Sequence, residues 1–165
     1  MTTELAALKL DKNDPDVIVR AYKFALKPTP SQEQKLRQHT GGARFVYNYL
    51  IAQWRDDIHT RIEEKERGVP DDELTPFAFK SSTYDMINYW NHTKRECAPW
   101  WPEVSKEISN DAAHRAHDSM KNWLDSRSGK RKGRRVGFPR FHKRGHHESC
   151  TFLSLIHISE PTRLR

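Results

Sequence analysis

Hydrophobic positions change period along this chain. In residues 17–26, VIVRAYKFAL, Tyr22, Phe24 and Leu26 alternate with Lys23 and Ala25, the spacing of a half-buried strand. Pro28 closes the run, so 17–28 is predicted as a first strand, after a polar, flexible lead-in over 1–16. From Thr29 the period becomes helical. Thr29-Pro30-Ser31-Gln32 supplies an N-cap, a proline suited to the first helical position and a glutamine that completes a capping box. This helix is expected to end near Thr40, with Gly41-Gly42 as a tight turn. A second helix starts near Ala43, where Phe45, Tyr49 and Ala52 share a face beside Val46, Leu50, Trp54, Ile58 and Ile62. The pair forms a helix-turn-helix in the geometric sense.

Glu63, Glu64 and Glu66 mix with basic residues at helical spacing and read as a solvated helix end. Residues 68–79 carry two prolines and form a loop in which Asp71, Asp72 and Glu73 are plain acidic side chains. Ser81 or Ser82 caps a third helix to about Glu96, with Met86, Tyr89, Trp90 and Thr93 at its apolar spacing. Pro99-Trp100-Trp101-Pro102 is a rigid corner whose tryptophans plug the helical core, with base stacking as the other use of the rings. A fourth helix spans about 105–126. Its buried stripe is Ile108, Ala112, Ala116, Met120, Trp123 and Leu124, and its polar face shows Lys106, Asn110, His114, His117 and Lys121. Residues 149–152 look like the start of another strand.

Charge then singles out one stretch. Residues 127–144 hold nine cations, Arg127, Lys130, Arg131, Lys132, Arg134, Arg135, Arg140, Lys143 and Arg144, and no acid, in a chain of net charge +7. The rest of the chain is therefore net negative, and the basicity is localised. A localised basic block is the footprint of a polyanion partner, and these cations are the candidate nucleic-acid contacts. Phe138 and Phe141 flank Arg140 within it. They can stack on bases or anchor a strand in the core with Arg140 outward, and the anchor role is the favoured one.

Other chemistry is sparse. His142, His146, His147 and Cys150 cluster, but their spacing fits no paired Cys/His zinc module, and no metal ligand is assigned. No nucleophile elbow, P-loop, zincin helix or dinucleotide turn occurs, so no catalytic residue is assigned. Five Trp, five Tyr and seven Phe give a foldable core. Two distant cysteines, no long apolar run and no secretory leader point to a cytoplasmic protein without a membrane partner.

Five stretches in order, AYKFALKPTPSQEQKL, GGARFVYNYL, WWPEV, KNWLDS and RRVGFPRFHKRGHHES, resemble the amino-terminal part of the TnpB (OrfB) proteins of insertion sequences. The resemblance covers about residues 18–152. It implies an RNA-guided DNA endonuclease, with guide RNA and target DNA as partners. It implies a mainly α fold, a four-helix recognition module over 29–126 that includes the helix-turn-helix. Strands of an incomplete β-barrel wedge domain would flank the module, with 127–152 as the basic connector back to the wedge. By position after WWPEV, Lys106 and Asn110 match the face that reads a short DNA motif beside the target, and asparagine can pair bidentately with adenine. The family's Mg2+ nuclease site and Zn2+ ribbon belong to parts beyond these stretches, so no cofactor and no cleavage are expected of this portion. Leu153–Arg163, LSLIHISEPTR, reads as a translated sequencing-library adapter, which makes 153–165 foreign and the frame truncated. The rival reading is a self-contained basic helix-turn-helix regulator with contacts between Lys35 and Tyr49.

Overall fold

The computed structural model describes Ala25 and residues 27–146 and 149–152. Three α-helices form: α1 (Pro30–Glu66), α2 (Thr83–Cys97) and α3 (Lys106–Arg127), with a short 3-10 turn at Trp101–Glu103 between the last two. Each start follows its capping chemistry. Thr29 Oγ1 accepts from the Gln32 amide at 3.4 Å while Gln32 Oε1 accepts from the Thr29 amide at 2.9 Å, with Pro30 opening the helix. Ser82 caps α2 by accepting from the Asp85 amide at 3.1 Å, and Ser105 caps α3 through the Glu107 amide at 3.4 Å.

The expected four-helix module is corrected here. α1 is one continuous helix of 37 residues, and no turn interrupts it at Gly41-Gly42. Neither glycine has a positive φ. Packing explains why the chain continues through two poor helix formers. Gly42 is buried where a Cβ would lie 3.1 Å from Val104 Cγ1 and 3.5 Å from Trp101 Cζ3. The missing side chain admits the tryptophan corner against the helix; it does not stop the helix. The helix-turn-helix regulator loses its turn by the same observation.

The flanking strands are corrected too: no strand occurs among the described residues. Residues 149–152 are held by side chains, Ser149 by the Arg115 guanidinium and Phe152 by a ring contact with His39 at 5.3 Å, and have no β-ladder. The strand predicted at 17–28 lies outside the described residues except for Ala25, Lys27 and Pro28, which carry no strand. The lead-in and residues 153–165 lie outside them as well.

The core sits between the middle of α1 and α3, with α2 closing it. Val46, Tyr47, Leu50, Ile51 and Trp54 of α1 meet Ile108, Ala112, Ala113, Ala116 and Met120 of α3, and Met86 and Trp90 fill in from α2. The two corner tryptophans part company. Trp101 is buried edge-on to Trp90 at 4.8 Å, whereas Trp100 remains 38% exposed. Leu124, expected in the buried stripe, is exposed.

Two acids of α1 and one of the loop fasten residues 68–79 to the helix. Glu64 accepts from the Thr75 amide at 3.0 Å and from its hydroxyl, Asp57 accepts from the Ala78 amide at 2.9 Å, and Lys65 pairs with Asp71 at 2.9 Å. The Thr75 hydrogen bonds hold the Glu64 carboxyl below the ordinary glutamate value. No described helix is long and apolar enough to cross a membrane.

Candidate nucleic-acid interface

The basic segment leaves α3 through a left-handed Gly129 (φ 75°) and takes no regular secondary structure. It is nonetheless fastened along its length. The Arg131 amide donates to Asp125 O at 3.1 Å, and the Val136 amide to Ser126 Oγ at 2.9 Å. Phe138 packs on Trp54 at 6.2 Å and edge-on to Trp123 at 5.2 Å. Pro139 is buried. The Arg55 guanidinium lies 4.4 Å from the Phe141 ring centroid.

His142 marks the firmest attachment. Its ring stacks on Tyr47 at 3.8 Å with only 3° between the planes. Asn48 brackets its backbone, accepting from the His142 amide at 2.8 Å and donating to the His142 carbonyl at 3.0 Å. The side-chain amide thus imitates a paired strand, satisfying both backbone groups where no ladder is available. Burial first, and the Arg115 guanidinium second, hold the His142 imidazole below its ordinary pKa.

All nine cations of the segment are exposed while the backbone between them is anchored. Two of them also make contacts within the fold: Arg127 lies over the Trp123 ring at 5.1 Å, and Arg131 donates to Arg134 O at 3.2 Å. The segment divides into two places. Residues 127–135 stay near the C-terminal end of α3, whereas His142 and Ser149 are held at Tyr47 of α1 and at Arg115 in the N-terminal half of α3. There Arg140, Lys143, His142 and His146 line a cavity of about 620 Å³ together with Arg115 of α3. No carboxylate is among its described lining residues. Arg115 reaches it from a half-buried position, donating to Ser149 Oγ at 3.1 Å and Ser149 O at 3.3 Å and pairing with Asp111 at 3.2 Å.

Lys106 is exposed in the first turn of α3, and Asn110 is half-buried one turn on. At ~1.5 Å per residue, Asn110 lies roughly 8 Å along the axis from Arg115 and about 25 Å from Arg127. Around the axis, at ~100° per residue, Asn110 lies roughly 140° and Lys106 roughly 180° from Arg115, so the Lys106/Asn110 face is turned away from the side of α3 that meets the returning half of the basic segment. Sequence reasoning missed Arg115, Asn48, Tyr47 and Arg55. For Arg115 a signal existed: a guanidinium between Ala112 and Ala116 of a buried stripe.

His147, one of the four clustered His/Cys residues, lies outside the described residues. Burial pushes the Cys150 thiol up, away from the thiolate that a metal prefers. Among the described residues, no group of three His, Cys, Asp or Glu is placed to hold a metal ion.

A family model described as a helix-turn-helix domain, that of OrfB proteins, matches residues 18–63. Two curated relatives from Mycobacterium tuberculosis, strains CDC 1551 / Oshkosh and ATCC 25618 / H37Rv, are each 33% identical over 135 residues. Each is named as a putative RNA-guided DNA endonuclease. By these matches the chain is similar to the TnpB (OrfB) family. The match takes in 77% of this chain but 27% of each relative's length. No solved structure shows a significant match. The family match ends within α1, and its described part from Lys27 onward contains no break in that helix.

Proposed function

We propose that this chain is a nucleic-acid-binding module, the N-terminal portion of a TnpB-type RNA-guided DNA endonuclease. Its partners are a guide RNA and the DNA beside the target. It has no nuclease chemistry of its own, and the Mg2+ and Zn2+ of the family act elsewhere in the longer protein. The cations of residues 127–144 grip the sugar-phosphate backbone, and Lys106 and Asn110 read the short DNA motif. The observation that carries this reading is the anchored backbone of the basic segment. Phe138, Pro139 and His142 are fixed on α1 and α3, so Arg140 between them, and Lys143 directly after, stand on an anchored backbone. Pre-set cations lose less conformational entropy on binding than a flexible tail does.

Deleting the segment would strip Phe138 from the hydrophobic cluster, so neutralisation is the sharper test. Arg140→Gln with Lys143→Gln should weaken binding to a structured RNA hairpin and to a short DNA duplex by roughly tenfold at moderate salt. Lys94→Gln with Arg95→Gln, on α2, serves as the control and should change little. Equal affinity in all three proteins would refute the proposal.

A further inference from the structure

A second surface lies on the other side of Phe141. A groove of about 600 Å³ runs along α1, with Trp100 on one wall, Phe141 on the other, and Arg37 and Arg44 among its lining residues. Trp100 is 38% and Phe141 42% exposed, and both belong to anchored segments. Trp100 meets Phe45 edge-on at 5.3 Å and is tilted against Trp101 at 5.8 Å, so its ring is fixed while part of it faces solvent. Gly41 and Ala52 line the same groove, and a Cβ built on Gly41 would meet only the Arg44 guanidinium, at 4.0 Å.

Phe141 also lines the cationic cavity of Arg115, Arg140 and Lys143. Exposed rings on one side and cations on the other, joined at a shared residue, match the needs of an unpaired strand. Its phosphates lie along the cations and its bases stack on the rings. A duplex has no use for the aromatic side, because its bases already stack on one another. We infer that the α1 groove between Trp100 and Phe141 is a base-stacking site for unpaired RNA, distinct from the backbone grip of the basic segment. This inference rests on the proposed nucleic-acid-binding role. RNA is the occupant because sequence-specific RNA recognition uses splayed, unpaired bases on aromatic and guanidinium planes. The short motif beside a target is read in duplex DNA, whose bases are already stacked.

The test uses the 165-residue chain with three fluorescent probes: single-stranded RNA, single-stranded DNA of the same sequence, and duplex DNA. Trp100→Ala should weaken single-stranded RNA binding about tenfold and duplex binding less than twofold, with Trp100→Phe restoring most of the loss. Circular dichroism on each variant separates this from unfolding, which would lower all three affinities together. An unchanged RNA affinity, or an equal loss on RNA and duplex, overturns the stacking site while leaving the backbone grip standing. Equal binding and equal loss for single-stranded DNA overturns the assignment to RNA. Failure of the unmutated chain to bind any probe overturns both proposals.

Discussion

At the scale of residues, the interface depends on side chains that hold the basic segment without being part of its charge. Tyr47, Asn48 and Arg115 occupy helix positions; the first two both hold His142, by its ring and by its backbone, and Arg115 reaches Ser149. His142 couples this attachment to pH. Its imidazole is held below the ordinary value of 6.5 by burial and by Arg115, so the unfolded chain takes up that proton more readily than the folded one. The stability it contributes is present above pH ~6.5 and is lost as pH falls below that value. Moving from pH 7.5 to pH 5.5 should therefore lower the urea midpoint more in the wild type than in His142→Phe, which keeps a stacking ring and removes the titration. Parallel losses in both proteins would assign the acid sensitivity to other groups.

At the scale of elements, the glycine pair separates two pictures of α1. In a turn with positive φ, alanine at either position would be strained. In a continuous helix, Gly41→Ala places a methyl where nothing crowds it and should stabilise by about 0.5–1 kcal/mol. Gly42→Val should destabilise by about 1–3 kcal/mol, because its branches meet Val104 and Trp101. Denaturant unfolding of the two variants reads both signs, and destabilisation by Gly41→Ala would restore the turn.

Much of the element plan was legible because caps and apolar stripes are local signals. Thr29, Ser82 and Ser105 cap as their chemistry requires, and Met86, Trp90, Ile108, Ala112, Ala116 and Met120 are buried at the expected spacing. The helix through Gly41-Gly42 was not legible, since what overrides the glycine propensity is a contact with Val104, far along the chain. The Asn48 clamp was hidden for the same reason: its partner His142 is 94 residues away. The basic cations stood out from composition, whereas Arg115, which shares a cavity with Arg140 and Lys143, is separated from those two by the end of α3 and the first part of the segment.

At the scale of the whole molecule, α1 and α3 make a rigid back against which an irregular, cation-rich chain is pinned at Phe138, Pro139 and His142. The proposed grip would displace counterions, so its affinity would carry a salt signature that hydrophobic association lacks. The most direct measurement is the affinity for a DNA duplex across a salt series, for the wild-type chain and for a variant with Arg134, Arg135, Arg140 and Lys143 all changed to Gln. The account predicts a steep wild-type plot of log affinity against log salt. Its slope should become shallower by up to ~0.9 for each phosphate contact removed in the variant. Identical slopes for the two proteins, or a wild-type affinity indifferent to salt, would contradict it.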